Sequence, residues 1–123
     1  MKKDSAQTFQ NPLKNNIPIA FSSHRPVVSG APLLGIHAAV NQKTRTGQDH
    51  APQEKITPEE ALRCYTLKGA YTSFEDQIKG SVEVGKLAYL VVLAEDPTAV
   101  NPEKIKDISV EVTMVEGELF FRE

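Results

Sequence analysis

Leu87-Ala88-Tyr89-Leu90-Val91-Val92-Leu93 is the stretch on which the fold turns. It is a continuous apolar run with Gly85-Lys86 before it and Asp96-Pro97 after it. A run this short, closed by turn residues, fits a buried strand better than a helix, which needs about 10–12 residues. Downstream, Ile108 to Val115 and Leu119 to Phe121 flank Glu116-Gly117, a two-residue link suited to a hairpin. Val110, Val112 and Met114 alternate with Glu111, Thr113 and Val115, which predicts one apolar face and one mixed face. Pro102 to Ile105 is expected to form one helical turn between these strands.

Upstream the period changes from two to 3.6. Thr57-Pro58-Glu59-Glu60 is a capping box with proline at the first helical position, and it starts a helix predicted to reach Ser73. Ala61, Leu62, Tyr65, Ala70 and Tyr71 are its candidate buried residues. Pro32 to Thr46 reads as another helix, with Leu33, Leu34, Ile36, His37 and Val40 at helical spacing. Gly47, after the basic stretch Lys43-Thr44-Arg45, is expected to end it. Ile17-Pro18-Ile19-Ala20-Phe21 is apolar and partly β-branched, and suits a strand buried on both faces as in a parallel sheet. A short, weak helix or frayed arm is expected near 6–15. Helices therefore precede strands, the pattern of an α+β fold, with a boundary between residues 1–78 and 79–123.

With 123 residues the chain is one ordinary domain in size and about half of what an eightfold barrel requires. Its formal net charge of −2 leaves no basic footprint for nucleic acid or an anionic membrane. No run approaches a membrane-spanning length, and Met1 to Gln7 lacks the apolar core of a signal peptide, so a cytoplasmic location is expected. The single cysteine, Cys64, excludes a disulfide framework and a multi-cysteine zinc site. It reads as a small apolar helix residue.

Few residues carry a chemical signal. His24, His37 and His50 are far apart and lack the close spacing of a metal-binding helix. His24 follows the end of the buried-strand candidate, where parallel α/β folds place reactive groups. His37 lies among apolar helix residues and reads as a packed, hydrogen-bonded ring. His50 reads as a solvated loop residue. There is no phosphate-binding glycine loop and no Gly-x-Ser-x-Gly elbow.

Four stretches, taken together, resemble the C-terminal third of the amidohydrolase superfamily, specifically its TIM-barrel metal-dependent hydrolases acting on non-peptide C–N bonds. Ile17 to Val27 is similar to the last barrel strand, usually closed by Gly-Ser-Asp-x-Pro-Val. Pro32 to Val40 with Thr44 to Gly47 is similar to the helix and loop that follow. Thr57 to Leu62 with Tyr65-Thr66 is similar to the next helix. Gly80 to Leu93 is similar to the Gly-Lys-x-Ala-Asp-Leu-Val-Val-Leu strand of the family's small β-sandwich. The resemblance implies a partial barrel segment, the last strand plus helices, followed by part of that sandwich.

It also implies a site. The family's metal-binding, proton-accepting Asp falls at His24, the one candidate catalytic and metal-ligating residue of this chain. The remaining family ligands, including a His-x-His, have no counterpart in the sequence. Tyr89 stands where the sandwich strand usually has Asp. The leading expectation is a fragment without a complete catalytic site and, alone, without a cofactor. A second is an active hydrolase once a missing N-terminal barrel chain is assembled, with zinc or another divalent metal. A third is a non-enzymatic binding or scaffold module. Strands left without their family partners point to a homo-oligomer or to that barrel chain as partner, and not to nucleic acid or membrane.

Overall fold

The computed structural model describes residues 8–121. Its helices are α1 (Gln10–Lys14), α2 (Pro32–Asn41), α3 (Pro58–Tyr65) and α4 (Leu67–Thr72), followed by β1 (Leu90–Leu93), β2 (Val110–Val115) and β3 (Glu118–Phe121). Short 3-10 turns occupy Pro52–Glu54 and Pro102–Asp107. The architecture is a small α+β fold with one antiparallel sheet in the order β1-β2-β3.

The capping box forms as expected. Glu60 N donates to Thr57 Oγ1 at 3.1 Å, and Thr57 N donates to Glu60 Oε2 at 2.8 Å. The helix it opens does not run unbroken to Ser73. It breaks at Thr66 (φ −110°, ψ −91°), whose hydroxyl donates back to Leu62 O at 2.8 Å, the local bond by which threonine bends a helix. Gly80 then crosses over α4 at φ +98°, and a Cβ there would stand 2.7 Å from the Ala70 Cβ. Glycine is needed at this position for both reasons.

α2 also stops early, at Asn41 rather than Thr46. Gln42 turns left-handed (φ 47°) and donates to Ala38 O at 2.9 Å. The chain then folds back, with Thr44 N on Gln48 O and His50 N on Gln42 O, both at 2.7 Å. Lys43-Thr44-Arg45 therefore lies beyond the helix, and Gly47 (φ +85°) sits in this reversal instead of ending α2. α1 is a five-residue helix, and residues 6 and 7 of the expected span lie outside the described residues. Glu54 accepts from the amides of Phe9 (2.7 Å) and Gln10 (2.9 Å), which fastens α1 to a segment 45 residues away.

The buried cluster joins Ile36, Ala39 and Val40 of α2 with Ile56, Ala61 of α3 and Ile105. Ile105 is 0% exposed, so the 3-10 turn acts as a plug against α2. Burying such a side chain stabilises the fold by about 2–3 kcal/mol. Of the candidates on α3 and α4, Ala61 and Ala70 are buried, Leu62 and Tyr65 half-buried, and Tyr71 exposed.

The strand expected at Ile17–Phe21 is absent. The segment is held by Phe21 N donating to Cys64 O at 3.0 Å and by the Phe21 ring against Phe9 and Tyr65, at centroid distances of 5.1 and 5.5 Å. A strand buried in a parallel sheet needs a ladder neighbour, and the described residues offer it none. β1 is shorter than expected and starts at Leu90, after a tight turn in which Tyr89 N donates to Leu87 O.

The hairpin is as expected. Glu116 (φ 51°) and Gly117 (φ 86°) both adopt positive φ, the pattern of a primed two-residue turn that matches strand twist. The register pairs Leu90 with Met114 and Met114 with Leu119, and Val92 with Val112 and Val112 with Phe121. These six share one face, all apolar. Val91, Thr113 and Phe120 form the middle of the other, which also carries Glu111, Val115 and Glu118.

Candidate functional site

An open groove of about 890 Å³ runs between the extended segment 19–24 and α2. Its apolar floor comes from Ile19, Ala20 and Phe21 on one side and Gly35, Ala38 and Ala39 on the other. The close approach has a specific cause: a Cβ on Gly35 would lie 1.9 Å from the Tyr65 hydroxyl, so the phenol lies across the helix where only hydrogen fits. Burial raises the Tyr65 phenol above its ordinary pKa, keeping it neutral.

His24 lies on the groove wall, exposed, where the extended segment turns into the loop. It adopts φ +56°, a left-handed conformation uncommon for residues other than glycine. His50 and Lys43, from the reversal after α2, line the same groove. The sequence places His24 and His50 on different elements; the reversal at 42–50 brings both to one cleft. No periodic pattern announces this, because it depends on Gln42 leaving the helix when it does.

His37 stays out of the groove. Asn41 Nδ2 lies 3.2 Å from its Nδ1 and also donates to His37 O and Pro102 O, both at 2.9 Å. The ring is thus half-buried and hydrogen-bonded, in keeping with its reading as a packed residue. Cys64 is buried in α3, and burial, followed by the Glu60 charge, pushes its thiol up. A raised thiol is a poor nucleophile at neutral pH. Tyr89 has a structural setting: its hydroxyl donates to Glu116 Oε1 at 2.9 Å, and Lys79 stands 5.9 Å over its ring. The bond to Glu116 is the main reason its pKa is raised.

Among the described residues, no three of His, Cys, Asp and Glu come close enough to hold a metal ion. His24 and His50 are borderline-soft nitrogen donors suited to zinc, but a stable site needs at least one more ligand. The residues present therefore do not make a metal centre by themselves.

Comparison with known proteins decides the family. The model of an amidohydrolase family matches residues 5–121. The chain belongs to the amidohydrolase family. Among curated relatives of this amidohydrolase chain, the N-substituted formamide deformylase of Arthrobacter pascens is 33% identical over 107 residues, 87% of this chain and 20% of that protein. The putative amidohydrolase YtcJ of Bacillus subtilis is 26% identical over 120 residues, 95% of this chain and 23% of its own length. The protein LONG AFTER FAR-RED 3 of Arabidopsis thaliana is 36% identical over 106 residues, 85% of this chain and 18% of that one. The chain thus spans about a fifth of the length of these relatives. In fold it is similar to an amidohydrolase from Thermotoga maritima, with a TM-score of 0.70 at 22% identity, over 94% of this chain and 26% of the other. No helix among the described residues is long and apolar enough to cross a membrane.

Proposed function

We propose that this chain is a C-terminal amidohydrolase segment that contributes one wall of a catalytic cleft and hydrolyses nothing alone. Residues 1–78 correspond in this reading to the end of a barrel, and 79–123 to part of a small β-sandwich. The observation that carries it is His24 on the wall of the 890 Å³ groove, with no third donor group among the described residues; in this reading His24 takes the family's metal-Asp position. The unladdered segment 17–23 supports it, since free backbone groups on an extended chain call for a neighbouring strand. Polypeptide carrying the remaining ligands would complete the cleft, whether from the same reading frame or another.

The substrate class follows from the family resemblance, hydrolysis of non-peptide C–N bonds, with N-substituted formamides the first to try, since one relative is named for deformylating them. The test is to prepare the chain alone and together with the N-terminal part of an amidohydrolase. Zinc content and formamide hydrolysis are measured in both. Neither should occur with the chain alone, and both should occur with the complex. Zinc-dependent turnover by the chain alone, or a stable complex that takes up no metal, would sink the reading.

A further inference from the structure

Tyr65 carries a hydroxyl that the fold leaves without a partner. Among the described residues it makes no hydrogen bond, and burial is the sole cause of its raised pKa. The Tyr89 hydroxyl, by contrast, donates to Glu116 at 2.9 Å. Nor is the Tyr65 hydroxyl sealed in, since among the described residues no fully buried side-chain oxygen lacks a partner. Gly35 locates it: the phenol oxygen lies over this glycine, which borders the groove of about 890 Å³. Tyr65 also borders a second groove, of about 700 Å³, but Gly35 does not. The hydroxyl therefore opens into the first groove, the one that His24 lines. Its ring is held by Phe21, edge-on at a centroid distance of 5.5 Å and an angle of 81°.

We propose that Tyr65 is a substrate-contacting residue, its hydroxyl donating to the carbonyl oxygen of an N-substituted amide seated in this groove. The class of ligand rests on the hydrolase reading above; the position of the donor does not. Three features of the groove fit such an amide. Its floor of Ile19, Ala20, Ala38 and Ala39 is apolar and suits an apolar N-substituent. No carboxylate is among its lining residues, so a cationic ligand finds no counter-charge there. The Tyr65 phenol stays protonated at neutral pH and so offers a donor to an uncharged oxygen. Such a donor discriminates because a ligand without an acceptor displaces its water and leaves it unpaired. The ring is already fixed against Phe21, which spares the ligand the cost of ordering it. Tyr65 thereby selects amides over ligands of the same shape with a poor acceptor.

The test titrates the isotope-labelled full chain with N-benzylformamide and with its thioformamide analogue, whose sulfur is a weak acceptor. The backbone amide resonances of Gly35 and Ala38 report occupancy of the groove. The unaltered chain should bind the formamide about three- to tenfold more tightly than the thioformamide, the range of one net hydrogen bond. Tyr65→Phe should lose that factor for the formamide and bind the two ligands alike. Its thermal melt should match that of the unaltered chain, because the hydroxyl bonds to nothing among the described residues. A lowered melting temperature with unchanged affinity would make the hydroxyl structural and overturn the proposal. So would a titration of the unaltered chain in which Gly35 and Ala38 do not shift. If either result comes with formamide hydrolysis by the zinc-loaded complex, the hydrolase reading stands and only the role of Tyr65 falls. Tyr65-dependent binding beside a complex that takes up no metal would keep the contact and remove the hydrolase reading.

Discussion

The sheet is built from more apolar sequence than the α2–α3 layer, yet only the layer has an interior. Ile36, Ala39, Ala61 and Ile105 are each less than 5% exposed, whereas Val91, Val92, Phe120 and Phe121 are all more than half exposed. The helices find partners within a short stretch of chain, and Ile105 reaches back to them through a single 3-10 turn. The sheet pairs its three strands in a ladder but has no layer among the described residues to cover it. Strand pairing and burial are separate requirements, and this sheet meets only the first.

This contrast can be broken at the core first. We predict that Ile105→Ala lowers stability by about 2–4 kcal/mol, the range for emptying a fully buried aliphatic site. Val92→Ala should cost less than about 1 kcal/mol at concentrations where the chain is monomeric, because the side chain is half in water. Urea unfolding of the two variants measures the difference; equal losses would mean that the sheet is covered after all.

The next effect in size is at Gly80. Gly80→Ala should cost about 1–3 kcal/mol, since it combines a positive φ with a close approach to Ala70. Gly47→Ala, at a positive φ but with open space around it, should cost less. Thermal melts of the pair would separate crowding from backbone strain.

Thr57→Ala removes one half of the capping box and should cost about 1 kcal/mol. Thr57→Ser should restore most of it in the same melt, because the hydroxyl remains.

The smallest effect is that of pH. Lys79, followed by Ser73, lowers the Glu75 carboxyl, and the Thr98 hydroxyl and amide lower that of Asp96. Their folded pKa values lie below the unfolded ones, so their contribution is present above the ordinary carboxylate range and lost as pH falls through it. Lys43, raised by its bond to Glu103, contributes below the ordinary lysine range and loses that contribution as pH rises through its folded value. All three groups are at the surface, so the melting temperature should vary only slightly across neutral pH and decline at both ends. A sharp drop between pH 6 and 8 would contradict this assignment.

Local rules predicted some elements and missed others for identifiable reasons. The capping box at Thr57, the primed turn at Glu116-Gly117 and the alternation through β2 each involve residues within a few positions of one another, and all three formed. The missing strand at 17–21 and the early ends of α2 and α3 depend on distant residues or on single dihedral choices. Ile17 to Phe21 reads as a strand because its side chains suit one, but a ladder also needs a neighbour. Gln42 and Thr66 show no helix-stop signal, and the ends are set by a left-handed dihedral at the one and by a hydroxyl bond back to Leu62 O at the other. At the groove, the sequence singled out His24 alone; the reversal that brings His50 and Lys43 to it was not legible.

The amino-acid sequence by itself determined the class of each half, the helix start at Thr57 and the hairpin turn, because short-range sterics and periodicity specify all of these; the family resemblance came from the likeness of four stretches to known relatives. Only the tertiary structure decided that Ile105 plugs the helical layer, that Glu54 ties down α1, that two histidines share a cleft and that both faces of the sheet stay largely exposed. Those are contacts between residues tens of positions apart, and their formation depends on which surfaces remain to be buried once the local elements are in place.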